Sequence, residues 1–281
     1  MKIARFQRSG QIVLVAEVGD RFFDVSFAPN GFSDIRVLLS HSDPSAALKV
    51  VLNEAAELDT LDNLQVAPPL DVQEVWASGV TYFRSKVARI GESVEGRAFY
   101  DKVYAAERPE LFFKSAPSRV VGHQQPVRIR RDSTWNVPEP ELALVLSSSG
   151  RIVGYTIGND MSSRSLEGEN PLYIPQAKVY DASCALGPWI LVADGANLPD
   201  GISMTVNRSG IEVFSGETST SKMRRPPQEL ANYLFSEISF PDGVFLLTGT
   251  GIVPPDDFSL KTGDVIKITI DGIGTLENQV A

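Results

Sequence analysis

The chain has few residues that bind soft metals or form cross-links: one cysteine, Cys184, and two histidines, His41 and His123, among 281 residues. A single thiol excludes an intrachain disulfide and a cysteine-rich zinc site, so any metal must be held mainly by oxygen. Cys184 sits among Ala182, Ser183, Ala185 and Leu186 with no nearby histidine to activate it, which suits a packed small side chain rather than a nucleophile. Cations are also scarce, 26 Lys and Arg against 35 Asp and Glu, for a formal net charge of −9. That balance gives no support to docking on a nucleic-acid backbone or an anionic membrane. No apolar run approaches the ~20 residues that span a bilayer, and the opening MKIARFQRSGQ lacks the apolar stretch of a secretory leader. The expected location is the cytoplasm.

What is present is an ordinary globular composition, 43% hydrophobic and 22% charged, in a length that suits one main domain with a smaller appendage. Alternating segments at KIARF, IVLVAEV and RFFDVSF, separated by Ser-Gly and Gly-Asp, predict a small antiparallel meander. A helix is expected next, capped by Asp43 with Pro44 at its first position and running to Leu58. Residues 1–66 thus form a small N-terminal α+β unit. The run Val66-Ala-Pro-Pro-Leu70 reads as a linker, because consecutive prolines remove donors and favour extended backbone. From residue 70 to 281 a second domain is expected, β-rich α+β, with strands at LFFK, VRIR, ELALVLS, RIVGYTI, WILVAD, SMTVNR, IEVFSG and VIKITI. Helical patterns are fewer, at residues 82–91, 99–107 and 227–237.

The chemistry concentrates in residues 138–146, PEPELALVL, where two glutamates open an apolar strand. Side chains two apart on a strand share a face, so Glu139 and Glu141 point together. Two such anions need a cation, a shared proton or full solvation. The next strand, residues 151–157, follows a Ser-Ser-Gly turn and should pair antiparallel with the first, returning Asp160 to the glutamate pair. Three converging carboxylates without His or Cys match the oxygen donors that Mg²⁺ or Mn²⁺ takes, with positions left for water or substrate. The plainer alternative is a wet strand end with Asp160 capping a turn.

Several strings together, PEPELALVL, GYTIGNDMSSRSLE, QAKVYDASCALGPWI and LLTGTGIV, resemble the fumarylacetoacetate hydrolase family in order and approximate spacing across residues 70–281. The resemblance implies a mixed β-sheet roll with a divalent cation held by Glu139, Glu141 and Asp160 at its mouth. The family's hydrolases carry Gly-x-x-Tyr-x-x-His-x-x-Glu, whose His and Glu activate water. Here Gly79 and Tyr82 match, but Ser85 and Ala88 stand in place of that pair, and neither can act as a general base. A branch of the family, the 2-keto-3-deoxy-arabinonate dehydratases, agrees more closely in RPELFFK, ENPLYIPQAK and KMRR. It implies Glu110 and Lys178 as the acid/base residues; Tyr82, Lys114 and Thr250 are further candidates for substrate contact, Thr250 in the turn Thr248-Gly249-Thr250-Gly251 whose hydroxyls and amides could hold a carboxylate.

On that resemblance the expected substrate is a 2-oxo acid, a 2-keto-3-deoxy pentonate above others, chelating Mg²⁺ through its carboxylate and 2-carbonyl. Loss of a C3 proton and of the C4 hydroxyl then requires one group to take a proton and one to give it. Two other readings stay open: a hydrolase or decarboxylase of acylpyruvate-like diketo acids, and a protein that binds metal and 2-oxo acid without catalysis. Glu110 could equally pair with Arg108 or Lys114, Lys178 could face water from a strand, and Thr250 could belong to a hairpin connection. His123 is expected to be structural. The family also implies a homo-oligomer, dimer or tetramer.

Overall fold

The computed structural model describes residues 1–84, 103–195 and 198–281. The N-terminal meander forms as expected, with strands β1 (Lys2–Arg8), β2 (Gln11–Val18) and β3 (Arg21–Asp24) paired antiparallel. Two helices follow. α1 (Ile35–Ser40) starts at Asp34, whose side chain accepts from the Val37 amide; α2 (Pro44–Leu52) starts at Asp43, which accepts from Ala46. α2 ends at Leu52 rather than Leu58, because Ala56–Leu58 leaves the helix as β4 and pairs with β3. Part of the expected linker is also a strand: β5 (Gln65–Ala67) pairs with β1.

The remaining strands are β6 (Val75–Gly79), β7 (Glu110–Ser115), β8 (Val120–Val121), β9 (Asn136–Val137), β10 (Pro140–Leu146), β11 (Ile152–Asp160), β12 (Ser162–Ser163), β13 (Cys184–Val192), β14 (Gly201–Arg208), β15 (Ile211–Ser219), β16 (Val244–Leu247), β17 (Val265–Ile270) and β18 (Gly274–Gln279). Helices α3 (Arg164–Glu169), α4 (Ile174–Lys178) and α5 (Pro227–Leu234) interrupt them. The expected strand at VRIR does not form: Val127 makes one isolated bridge to Val280, and Arg130 turns to Asp132 and the Gln176 carbonyl. The helical patterns at 82–91 and 99–107 fall largely on residues 85–102, outside the described residues.

One 12-stranded mixed sheet carries the order β4-β3-β2-β1-β13-β11-β10-β16-β6-β7, so β1 joins the N-terminal meander to β13 across the 66–70 segment. A 4-stranded antiparallel sheet, β15-β14-β17-β18, covers one face of its centre. Strand β10 is buried along its whole length. Leu142, Leu144 and Leu146 pack toward Met204, Ile268 and Leu276 of the smaller sheet, while Ala143 and Val145 pack with Ile35, Leu38 and Leu48 of α1 and α2. A strand covered on both faces reads as a continuous apolar run, which is why ELALVL lacks strict alternation. This doubly covered centre fixes the strand ends from which the candidate site is built.

Candidate metal centre and active site

The β10–β11 hairpin brings the three carboxylates together as its register requires. Glu141 lies opposite Gly158, and the Asp160 amide donates to the Glu139 carbonyl at 2.9 Å, so the two strand ends are clamped at the residues that matter. One carboxylate oxygen from each of Glu139, Glu141 and Asp160 lies within 4.8 Å of the others, and all three residues are buried. Gly158, opposite Glu141, has no room for a side chain, because a Cβ there would lie 2.2 Å from the Leu247 side chain.

Burial, followed by the nearby charges of Asp160 and Glu139, pushes the Glu141 carboxyl well above its usual range, against the opposing pull of Lys178 and the Gly249 amide. That amide donates to Glu141 Oε2 at 2.5 Å. The turn Thr248–Gly251 therefore does hold a carboxylate through its backbone, but the carboxylate is the protein's own. Gly249 is required there: its φ is +88°, and a Cβ would sit 2.0 Å from Thr81 Oγ1. Thr250 turns its hydroxyl into the same loop, donating to the Ile252 carbonyl at 3.2 Å.

Two buried lysines reach the cluster. Lys178, the last residue of α4, donates to Glu139 Oε2 at 2.5 Å, Ser162 Oγ at 2.5 Å and Asp160 Oδ2 at 3.1 Å. Lys178 is 1% exposed, which excludes a strand position facing water. Lys114, on β7, lies 2.5 Å from Asp160 Oδ1 and donates to the carbonyls of Met161 at 3.0 Å and Lys178 at 2.5 Å. Its ammonium thus meets two carbonyls as a donor and one carboxylate as an ion-pair partner.

On β7, Glu110 and Phe112 share a face by strand alternation, Phe112 carries the Lys178 ammonium 5.8 Å from its ring centre, and Lys114 is the extra residue where the register with β6 shifts. Glu110 therefore belongs to the face that meets the cluster. Its carboxyl lies over Gly79, its partner across β6, where a Cβ would be 2.1 Å from Glu110 Oε2. Tyr82 is 2% exposed, and burial together with the charge of Glu141 pushes its phenol upward. It borders a cavity of about 430 Å³ shared with Phe83, Arg84, Glu217, Thr218, Lys222 and Gly251. Ser85 and Ala88 lie outside the described residues.

Sequence reasoning missed Arg164 and Glu167 of α3, both buried: Arg164 Nη2 pairs with Glu139 Oε1 at 2.6 Å, and Glu167 Oε1 lies 3.4 Å from Lys178 Nζ. The signal was an Arg and a Glu three apart directly after Asp160, but in a sequence such a pair looks like a solvated helix face. His123 accepts from the Glu277 amide at 3.1 Å, a structural role as expected. Cys184 is fully buried, and its thiol is pushed up to about 12 by that burial, which leaves it inert.

An oxygen-only triad, buried on a mixed-sheet roll and strained by its own like charges, defines a protein built around a divalent hard cation; the donors fit Mg²⁺ because no sulfur or imidazole competes and a cation relieves the repulsion. Residues 75–281 match the model of the fumarylacetoacetate (FAA) hydrolase C-terminal domain. The chain belongs to the fumarylacetoacetate hydrolase family. It is 43% identical over 280 residues to a probable 2-keto-3-deoxyxylonate dehydratase of Haloferax volcanii, covering 97% of this chain and 96% of that one. It is 46% identical over 221 residues to the 2-dehydro-3-deoxy-D-arabinonate dehydratase of Saccharolobus solfataricus, covering 77% and 74%. A solved 2-keto-3-deoxy-D-arabinonate dehydratase complexed with magnesium and 2,5-dioxopentanoate superposes with a TM-score of 0.84 at 36% identity, over 100% of this chain and 98% of that one.

Proposed function

We propose that this chain is a magnesium-dependent hydro-lyase that dehydrates a 2-keto-3-deoxy pentonate to 2,5-dioxopentanoate. The observation that carries the reading is a buried oxygen-only triad that Lys178 and Lys114 both reach, and Glu110 on the β7 face whose Phe112 packs against Lys178 supports it. The two relatives named above are a 2-dehydro-3-deoxy-D-arabinonate dehydratase and a probable 2-keto-3-deoxyxylonate dehydratase, and the solved one is complexed with magnesium and 2,5-dioxopentanoate.

Magnesium bound by Glu139, Glu141 and Asp160 would draw electron density from the carbonyl of a chelating 2-oxo acid and so acidify its C3 protons. Glu110 and Lys178 are then the proton-transfer pair: one takes the C3 proton and the other protonates the departing C4 hydroxyl, which leaves as water. A second proton shift from C5 turns the terminal alcohol into the aldehyde, so the net change is the loss of one water. Lys114 pairs with Asp160 and donates to the carbonyls of Met161 and Lys178, which fixes those groups beside the triad and sets its ammonium among the candidate substrate contacts. The cavity beside Tyr82 offers room for the sugar-acid tail, and Thr250 precedes its lining residue Gly251 in the chain. Residues 70–281 form the catalytic unit of this reading, with residues 1–66 an N-terminal appendage; the protein works in the cytoplasm as a homo-oligomer.

The test is incubation of the purified protein with Mg²⁺ and a panel of 2-keto-3-deoxy pentonates, 2-keto-3-deoxy hexonates and acylpyruvates. Formation of 2,5-dioxopentanoate is the expected result. Faster cleavage of an acylpyruvate than consumption of any sugar acid would replace the dehydratase with a hydrolase, and binding without conversion would leave a 2-oxo-acid binding protein.

A further inference from the structure

Glu110 stands at the weak end of its strand. Among the described residues it forms the last pair of the β6–β7 ladder, opposite Gly79, and the ends of a ladder are where a sheet opens most readily. The chain just ahead of it is tied down by Arg225. This arginine is 7% exposed, and its Nη1 donates to the Glu107 carbonyl at 2.9 Å and to Glu229 Oε1 at 2.5 Å, while its Nη2 donates to the Ala106 carbonyl at 2.5 Å. Only Arg108 and Pro109 separate that anchor from Glu110, and they have little freedom: proline fixes its own φ and biases the residue before it toward extended backbone. Arg108 also sets its guanidinium 5.3 Å from the ring centre of Tyr233. Arg225 is itself held. It precedes α5, where Glu229 and Tyr233 lie four residues apart on one face while Leu230, Ala231 and Leu234 are buried in the core. On its other side the Arg224 amide donates to the Thr81 carbonyl at 2.9 Å, and Met223 bridges Tyr82. Residues 223–225 therefore connect the cavity wall at Tyr82, the helix α5 and the approach to Glu110.

We infer that Arg225 is a positioning residue for Glu110: by fixing the carbonyls of Ala106 and Glu107 against α5, it sets where the Glu110 carboxyl stands beside the triad. The inference rests on Glu110 acting in proton transfer. That step needs its groups within hydrogen-bond reach, and a misplacement of about 1 Å caused from a distance can cost roughly 10²-fold in rate. Arginine suits the task, because its planar fork offers several N–H donors at fixed spacing, which meet two successive carbonyls and the Glu229 carboxylate together. A lysine ammonium is a single point and cannot span both carbonyls in the same way. The hydrogen bonds of Arg225 run to Ala106, Glu107 and Glu229, none of them a residue of the triad, so the ion and a chelating 2-oxo acid are held without it. Its loss should therefore appear in turnover and not in binding.

The experiment measures kcat, KM and the Kd for Mn²⁺ in wild type, Arg225→Met, Glu110→Gln and the double variant, with kcat expressed per Mn²⁺-binding site so that unfolded chains are not counted. Arg225→Met is expected to lose about 10–100-fold in kcat, with KM and the Kd for Mn²⁺ within about threefold of wild type. Because Arg225 acts through Glu110, that loss should vanish once Glu110 is gone: the double variant should match Glu110→Gln within about threefold. Equal fractional losses in both backgrounds would make Arg225 a structural residue and overturn the inference, as would an unchanged kcat in Arg225→Met. Hydrogen–deuterium exchange of the peptide covering residues 106–112 gives a readout that needs no turnover. Faster exchange in Arg225→Met is expected there, and exchange at the wild-type rate overturns the inference. Where Arg225→Met fails to fold, Arg225→Lys, which keeps the charge and the stem but not the fork, is read in the same two backgrounds by the same criteria. Wild-type kcat in Glu110→Gln, or no sugar acid converted by wild type, would instead overturn the role of Glu110 or the proposed reaction, and the exchange measurement then still decides whether Arg225 fixes the approach to β7.

Discussion

Lys114→Met isolates the electrostatic cost of assembling the site. Methionine reproduces the length and most of the volume of the lysine stem, so little cavity forms at this fully buried position, and the change is nearly the removal of one charge and three donors. Three contacts are lost: the 2.5 Å pair with Asp160 and the hydrogen bonds to the carbonyls of Met161 and Lys178. Breaking a buried ion pair by removing one partner costs about 3–5 kcal/mol, and Asp160 keeps Lys178 at 3.1 Å, which places the charge cost near the lower end. The stranded carbonyls add to it. A loss of about 3–5 kcal/mol in a chain of this size lowers the melting temperature by roughly 6–10 °C. Because a divalent ion supplies charge to Asp160, Mg²⁺ should recover part of the deficit, giving Lys114→Met a larger ion-induced rise in melting temperature than wild type. The assay is calorimetric melting of both proteins with chelator and with saturating Mg²⁺. A drop below about 2 °C in chelator, or a deficit that Mg²⁺ leaves untouched, would refute the account of Lys114 as the electrostatic partner of Asp160.

Glu110→Gln should retain Mn²⁺ binding and lose about 10²–10⁴-fold in kcat, measured by product formation; loss of binding with no separate loss of turnover would make Glu110 structural. The raised Glu141 carboxyl carries a sign that can be checked. Its folded state binds the proton more tightly than the unfolded chain with its value of 4.5, so the ion-free protein loses stability as pH rises from about 4.5 through the raised value, while ion binding strengthens over the same window. Melting with chelator against pH, and proton release on Mg²⁺ binding measured in buffers of different ionisation heat, should show both trends, and Glu141→Gln should remove them. Gly249→Ala should cost at least about 1–2 kcal/mol from left-handed backbone alone and weaken ion binding, since the Gly249 amide holds Glu141; a melt matching wild type would contradict the strict need for glycine.

The parts of this site that a linear reading reaches are those built from neighbouring strands. Glu139 and Glu141 are legible because strand alternation puts residues two apart on one face, and Asp160 because a short turn fixes the register that returns it to them. The second half of the site arises from pairings remote in sequence. β6 enters the sheet beside β16, some 170 residues later, and through β6 the strand β7 brings Glu110 and Lys114 to the triad's neighbourhood. α3 and α4 are too short, at 6 and 5 residues, to show a helical period, so Lys178 between Ala177 and Val179 mimics an outward strand position. The same shortness of signal misplaced the end of α2, where nothing in Asn53 or Glu54 announces that Ala56–Leu58 will pair with β3.

Buried charges pose the deeper difficulty, because a sequence pattern reports what a residue is and not what surrounds it. Arg164, Glu167, Lys114 and Lys178 would each be placed at the surface by type alone, since lone burial of any of them is prohibitive. Together they are buried because each satisfies another, and that mutual condition exists only once β7, β10, β11, α3 and α4 have met. Strings shared with a family can still mark such residues, as ENPLYIPQAK marked Lys178, because a string preserves the whole constellation without saying how it is held. GYTIGNDMSSRSLE contained Arg164 and Glu167 on the same terms, yet only the coordinates separate the acid that belongs to the triad, Asp160, from the acid that anchors its cations, Glu167.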